Sequence, residues 1–152
     1  WLWQEWRSGH RLRLFDDAFS ALQELTNAGF QLGIISNWDR SLESVLERLG
    51  VAGYFSMVLV SCQVHLAKPD PAMFQKALDF AEIPPSQCWY LGDRLDMDIE
   101  PANAMGMKTV YVDYYGKRKA ADISDYSVPS MSRASQLILQ KEGFTSGCAD
   151  PS

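Results

Sequence analysis

A chain of 152 residues, 47% of them hydrophobic, is the length of one domain and carries enough apolar side chain to build a substantial core. Its formal net charge of -5 argues against a nucleic-acid or anionic-membrane surface, and the only basic run, Lys117-Arg118-Lys119, is too short to release many counterions. No apolar stretch approaches the roughly 18–20 residues of a membrane helix, no signal-peptide pattern opens the sequence, and Cys62, Cys88 and Cys148 lack CxxC spacing, so a cytosolic location with reduced thiols is expected.

Asp16-Asp17 stands as an N-cap before Phe19, Leu22 and Leu25, whose spacing puts them on one helical face, and Asn27-Ala28-Gly29 supplies the stop, so a helix is predicted near 17–28. Phe30 to Ile35 then reads as a buried strand. A second helix carries Leu42, Val45, Leu46 and Leu49 and ends at Gly50. Phe55 to Val60 gives the next strand, and Pro71 takes a favoured first helical position before Phe74, Ala77, Leu78 and Ala81. Cys88 to Leu91 reads as a strand, Ile99 to Met105 as a short helix stopped by Gly106, Lys108 to Val112 as a strand, and Ser132 to Lys141 as a last helix. Residues 113–131 and the tail from Gly143 read as loop. Strands alternating with helices predict an α/β fold, doubly wound around a mainly parallel sheet.

Three motifs stand at or just after strand C-termini, where open α/β sheets bind their ligands. Ile34-Ile35-Ser36-Asn37 offers a hydroxyl and backbone N–H groups to a phosphoryl oxygen at a helix N-terminus, although either residue can also serve as a cap, a job open to Asp39 or Ser41 as well. In Lys68-Pro69-Asp70-Pro71 two prolines limit the turn and present a stiff ammonium able to neutralise a carboxylate and a transferring phosphoryl group. Leu91-Gly92-Asp93-Arg94-Leu95-Asp96-Met97-Asp98 packs three carboxylates into six residues, an arrangement that repels itself unless a cation binds. Magnesium suits such a set, because it takes hard oxygen ligands from one or two carboxylates and substrate phosphate. The absence of GxGxxG and GxxxxGK[ST] speaks against a nucleotide-binding Rossmann or P-loop domain.

In this order, at strand ends, the motifs resemble the haloacid dehalogenase-like hydrolase superfamily, in particular its capped phosphatase branch, over roughly residues 12–142. The resemblance implies a Rossmann-like three-layer sandwich. It implies Ser36, Asn37 and Lys68 as phosphate-binding residues, Lys68 and Asp93 as catalytic residues, and Asp93 with Asp98 as holders of Mg²⁺, Asp96 being the alternative to Asp98. It further implies a small phosphorylated metabolite as substrate, hydrolysed through an aspartyl-phosphate.

The family's Asp-x-Asp nucleophile motif does not precede Ser36. Asp96-Met97-Asp98 has the spacing but lies in the metal-binding loop, and Asp16 has Ala18 where the second acid belongs. The first, central strand is therefore expected to be missing, with most of the cap. Its two neighbours then either flank a gap or close up against each other. The expected organisation is a remnant of cap or linker at 1–14, whose Trp1, Trp3 and Trp6 offer an aromatic surface, an incomplete core at 15–142 and a tail at 143–152. Two other readings follow from the same residues: a catalytically inactive binding or regulatory protein of this fold, and a haloacid dehalogenase, against which the carboxylate-rich loop argues. Oligomeric state is not readable from the sequence.

Overall fold

The structure is a computed structural model that describes residues 3–6, 11–116 and 123–144. The expectations for Lys117-Arg118-Lys119, for Cys148 and for the aromatic side chains of Trp1, Trp3 and Trp6 lie outside the described residues. Strands β1 (Trp3–Trp6) and β2 (Arg11–Leu14) pair antiparallel, a hairpin that the sequence pattern does not announce. Helix α1 (Ala18–Asn27) follows, and Gly29 at φ +88° supplies the left-handed turn into strand β3 (Leu32–Ser36). Then come α2 (Leu42–Arg48), β4 (Phe55–Val60), a single turn α3 (Ser61–Val64) and α4 (Pro71–Ala81). The chain continues through β5 (Trp89–Gly92), a π-helical turn at Leu95–Ile99, α5 (Glu100–Ala104), β6 (Lys108–Val112), β7 (Tyr126–Val128) and α6 (Met131–Lys141).

The alternation of strand side chains sets the layers. Ile34 packs among Ala21, Leu22, Leu42, Leu46 and Ala134 of α1, α2 and α6. Its neighbour Ile35 points the other way and packs with Met73, Phe74 and Ala77 of α4 and Ala102 of α5. Because both faces are covered, β3 and β6 read as continuous apolar runs, as parallel strands must.

One finding differs from the expectation, and a second selects between the two arrangements it left open. The segment 113–131 is not all loop: β7 pairs parallel with β6, from Val110 opposite Tyr126 to Val112 opposite Val128. Three residues centred on a serine carry too little pattern to be read alone, and the pairing comes from the neighbouring strand. Second, the parallel strands do not form one sheet. β3 pairs only with β4, and β5 belongs to a second sheet in the order β5-β6-β7. Between the facing edges of β3 and β5 runs an apolar cleft of about 190 Å³, lined by Gly33 and Ile35 on one side and Trp89, Tyr90 and Leu91 on the other. Leu22 of α1 and Leu78 of α4 close its two faces. No helix among the described residues is long and apolar enough to cross a membrane.

Candidate active site

Ser36 ends β3 and is buried, yet its hydroxyl forms no hydrogen bond with a described residue. It is not needed as a cap. Asp39 instead makes the turn before α2, its Oδ1 accepting the Ser41 N–H at 2.7 Å, and the Ser41 hydroxyl first and this N–H second hold the Asp39 carboxyl below its ordinary pKa. Both ends of the Asn37 side chain are engaged by the backbone of Lys68. Its Nδ2 donates to the Lys68 carbonyl at 2.8 Å and its Oδ1 accepts the Lys68 N–H at 2.8 Å. The amide expected to touch phosphate thus also grips the backbone of the lysine, with a second Nδ2 N–H not used by that grip.

Lys68 is fixed from the other side by the start of α4, where Asp70 accepts the Ala72 N–H at 2.9 Å and Pro71 fills the first turn. Its ammonium is 8% exposed and donates to Asp98 Oδ1 at 2.5 Å. Both partners are buried, so removing either side chain would leave the other without its counterpart away from water.

Asp98 is the hub of the site. Besides Lys68, its Oδ1 accepts the Tyr90 hydroxyl at 3.2 Å, and its Oδ2 accepts the Arg94 N–H at 3.2 Å. The π-helical turn over Leu95–Ile99 brings this buried carboxylate back against the end of β5, a distortion of the kind that recurs at functional sites. Gly92 makes the approach possible: a Cβ there would lie 2.4 Å from Asp98 Cβ and 2.9 Å from its Oδ2. Asp93 differs from Asp98. It is exposed, and its carboxylate has no hydrogen bond or ion pair with a described residue. Asp96 is exposed and paired with Arg94, whose Nη2 donates to its Oδ2 at 3.0 Å, and this pairing raises the guanidinium pKa further.

Ser36, Asn37, Lys68, Asp93 and Asp98 line one cavity of about 210 Å³ at the carboxyl ends of β3 and β5. Trp38, Arg94 and Met97 complete its wall. All five residues singled out from sequence thus converge, while Asp96 and the exposed Asp16, which stands 4.0 Å from Arg13, do not line it. Tyr90 is the functional neighbour that sequence reasoning passes over, because a tyrosine inside an apolar strand reads as core. Among the described residues no three His, Cys, Asp or Glu side chains gather closely enough to hold a metal by themselves. One free carboxylate beside an anion cradle still meets what magnesium asks of a protein when other ligands come from substrate, water and a further acid.

The structure thus sets a buried Lys–Asp pair, a serine hydroxyl and an exposed aspartate at adjoining strand ends of a parallel α/β fold. Comparison places it more closely. The sequence profile described as Haloacid dehalogenase-like hydrolase matches residues 3–112, and the chain belongs to that family. It is 34% identical over 111 residues to Haloacid dehalogenase-like hydrolase domain-containing protein 3 of Xenopus laevis, covering 73% of this chain and 46% of the relative. It is 34% identical over 107 residues to a glyceraldehyde 3-phosphate phosphatase of Methanopyrus kandleri, covering 66% of this chain and 44% of the relative. The crystal structure of a HAD phosphatase from Thermococcus onnurineus superimposes with a TM-score of 0.80 at 25% identity, over 85% of this chain and 60% of that one. The chain spans less than half the length of those two sequence relatives.

Proposed function

We propose that the chain forms part of a magnesium-dependent phosphatase acting on a small phosphorylated metabolite, with the nucleophile supplied by a segment outside the sequence given. The observation that carries this reading is the shared cavity of Ser36, Lys68, Asp93 and Asp98. In it the Ser36 hydroxyl and the adjoining backbone N–H groups bind the phosphoryl oxygens, and Lys68 neutralises their charge. Asp93 is the free carboxylate that would hold magnesium, which when bound offsets phosphate charge; Asp98 supports that shell from behind through Lys68 and the Arg94 backbone.

The cleft between β3 and β5 supports the same reading. Each facing edge presents backbone N–H and C=O groups with no strand beside them among the described residues. One parallel strand laid there completes a single sheet in a Rossmann-like three-layer sandwich. Its carboxyl end then emerges between Ser36 and Asp93. An aspartate at that end attacks phosphorus, forming an acyl phosphate and releasing the alcohol, and water then releases phosphate and restores the carboxylate. The free Asp93 carboxylate favours this chemistry over haloacid dehalogenation, and the free Ser36 hydroxyl favours it over an inactive scaffold.

Isothermal titration tests the metal assignment on the chain as it stands. Magnesium binding that is abolished in Asp93→Asn is expected; binding unchanged by that substitution sinks it. Phosphate release by the protein as its native source makes it, lost in Asp93→Asn and Lys68→Met, tests the activity.

A further inference from the structure

We propose that Tyr90 is a positioning residue that fixes the Asp98 carboxylate, and through it the Lys68 ammonium, at the wall of the phosphate cavity. The inference deepens the reading above and rests on it for the role of Lys68.

The argument starts from the number of donors on Asp98. An aspartate χ2 torsion is broad, so a carboxylate held by one contact swivels. Lys68 cannot stop this alone, because its four-carbon stem follows the oxygen it is bound to. The Tyr90 hydroxyl donates to the same Oδ1 that Lys68 contacts, at 3.2 Å and 2.5 Å respectively. The Arg94 N–H holds Oδ2 at 3.2 Å. One donor from a loop and one from a strand fix the plane of the carboxylate, and the lysine is then directed by a stationary acceptor.

Tyr90 is suited to the task. Its strand is paired in register with β6, Tyr90 standing opposite Thr109, and its ring packs at 5.2 Å from that of buried Phe74. The hydroxyl therefore comes from a rigid mount. A phenylalanine would fill the same space without donating. An ammonium has three N–H groups, and with one directed at Asp98 the other two are left in fixed directions for an anion in the cavity.

Tyr90→Phe tests this, read by the side-chain ammonium resonance of Lys68 in protein carrying ¹⁵N-lysine. A buried ammonium is shielded from water exchange and gives its own cross-peak, assigned by its absence in Lys68→Met. Loss or severe broadening of that cross-peak is expected in Tyr90→Phe, with a dispersed amide spectrum retained and the melting temperature lowered by only about 2–5 °C. Inorganic phosphate should bind about fivefold more weakly to this variant. In an Asp98→Asn background the same substitution should change neither. A Lys68 cross-peak missing from the wild type, or one unchanged in Tyr90→Phe while the melting temperature falls, overturns the proposal and leaves Tyr90 as core packing. If wild-type protein binds no phosphate, the phosphatase reading of the cavity fails, and the cross-peak alone still decides the role of Tyr90.

Discussion

Asn37 and Lys68 hold each other through two hydrogen bonds of 2.8 Å, the Asn37 amide donating to the Lys68 carbonyl while its oxygen accepts the Lys68 N–H. Thirty-one residues separate them, so this pair ties the loop after β3 to the loop before α4 and sets the backbone from which the lysine reaches Asp98. Asn37→Ala leaves a donor and an acceptor without their partners in a half-buried place, and a loss of about 1–3 kcal/mol in urea denaturation is expected. Asn37→Asp keeps the acceptor but puts an oxygen against the Lys68 carbonyl. It should be no better than alanine; an aspartate variant as stable as wild type would show that the amide donor contributes nothing.

Gly92 and Asp98 make a steric pair. A Cβ at residue 92 would meet Asp98 Cβ at 2.4 Å and Cγ at 2.8 Å, and both partners are buried on rigid backbone. Gly92→Ala must push the carboxylate away from Lys68 and Tyr90. Overpacking of this kind costs about 1–3 kcal/mol, and the separated Lys68 charge adds to it. Thermal unfolding of Gly92→Ala is the measurement, and a melting temperature equal to wild type would mean that Asp98 does not sit against β5.

Much of this site is local in sequence, which is why it can be read there. Ser36, Lys68 and Asp93 each follow an apolar strand run within a few residues, and the alternation of strands and helices fixes that those ends lie on one side of the parallel strands. What the pattern leaves out depends on partners far along the chain. The turn of Asn37 toward Lys68 and the contact of Tyr90 with Asp98 exist only once β3, β5 and the loop before α4 are adjacent. The strand β7 fails for the same reason, since Tyr126, Ser127 and Val128 are extended by pairing with β6 and not by their own preference. Whether β3 and β5 close up or stay apart is likewise a tertiary matter: the edges stay apart around an open apolar cleft whose faces are covered by Leu22 of α1 and Leu78 of α4.

Stability toward acid should depend on Glu142. Its carboxylate accepts the Lys108 ammonium at 2.6 Å and the Trp89 indole N–H at 2.8 Å, contacts that lower its pKa in the folded state. A depressed folded pKa contributes stability above the unfolded carboxylate value and loses it as pH falls through the folded one. Glu142→Gln should therefore be less stable than wild type at neutral pH, with the gap narrowing between about pH 5 and pH 3. The pair is solvent-exposed, so the gap should be small and shrink further in high salt. Denaturation curves at the two pH values check both points, and a gap that widens toward acid would contradict the assignment.

Asp17 and Tyr114 form a polar link across 97 residues of sequence, and they bear on how the loop after β6 is held beside the cavity. Asp17 Oδ1 accepts the Tyr114 hydroxyl at 3.1 Å, and its Oδ2 accepts the Ser132 N–H at 2.8 Å in the first turn of α6. The same hydroxyl accepts the Met131 N–H at 3.3 Å, and the Tyr114 ring stacks on Phe15 with centroids 3.7 Å apart. Burial first, then the Asp17 charge, raise the phenol pKa, so the link persists through neutral pH. Removing either side chain's polar group leaves the other's partners unpaired, and Tyr114→Phe and Asp17→Ala should each cost about 1–2 kcal/mol. Because both substitutions break the same bond, the double variant should fall short of their sum. Tyr114 also borders a crevice that it shares with Asp93 and Arg94. Loosening it should therefore weaken magnesium binding at Asp93 in Tyr114→Phe as well as stability. Strict additivity in the double-mutant cycle would show that the two residues act on α6 independently.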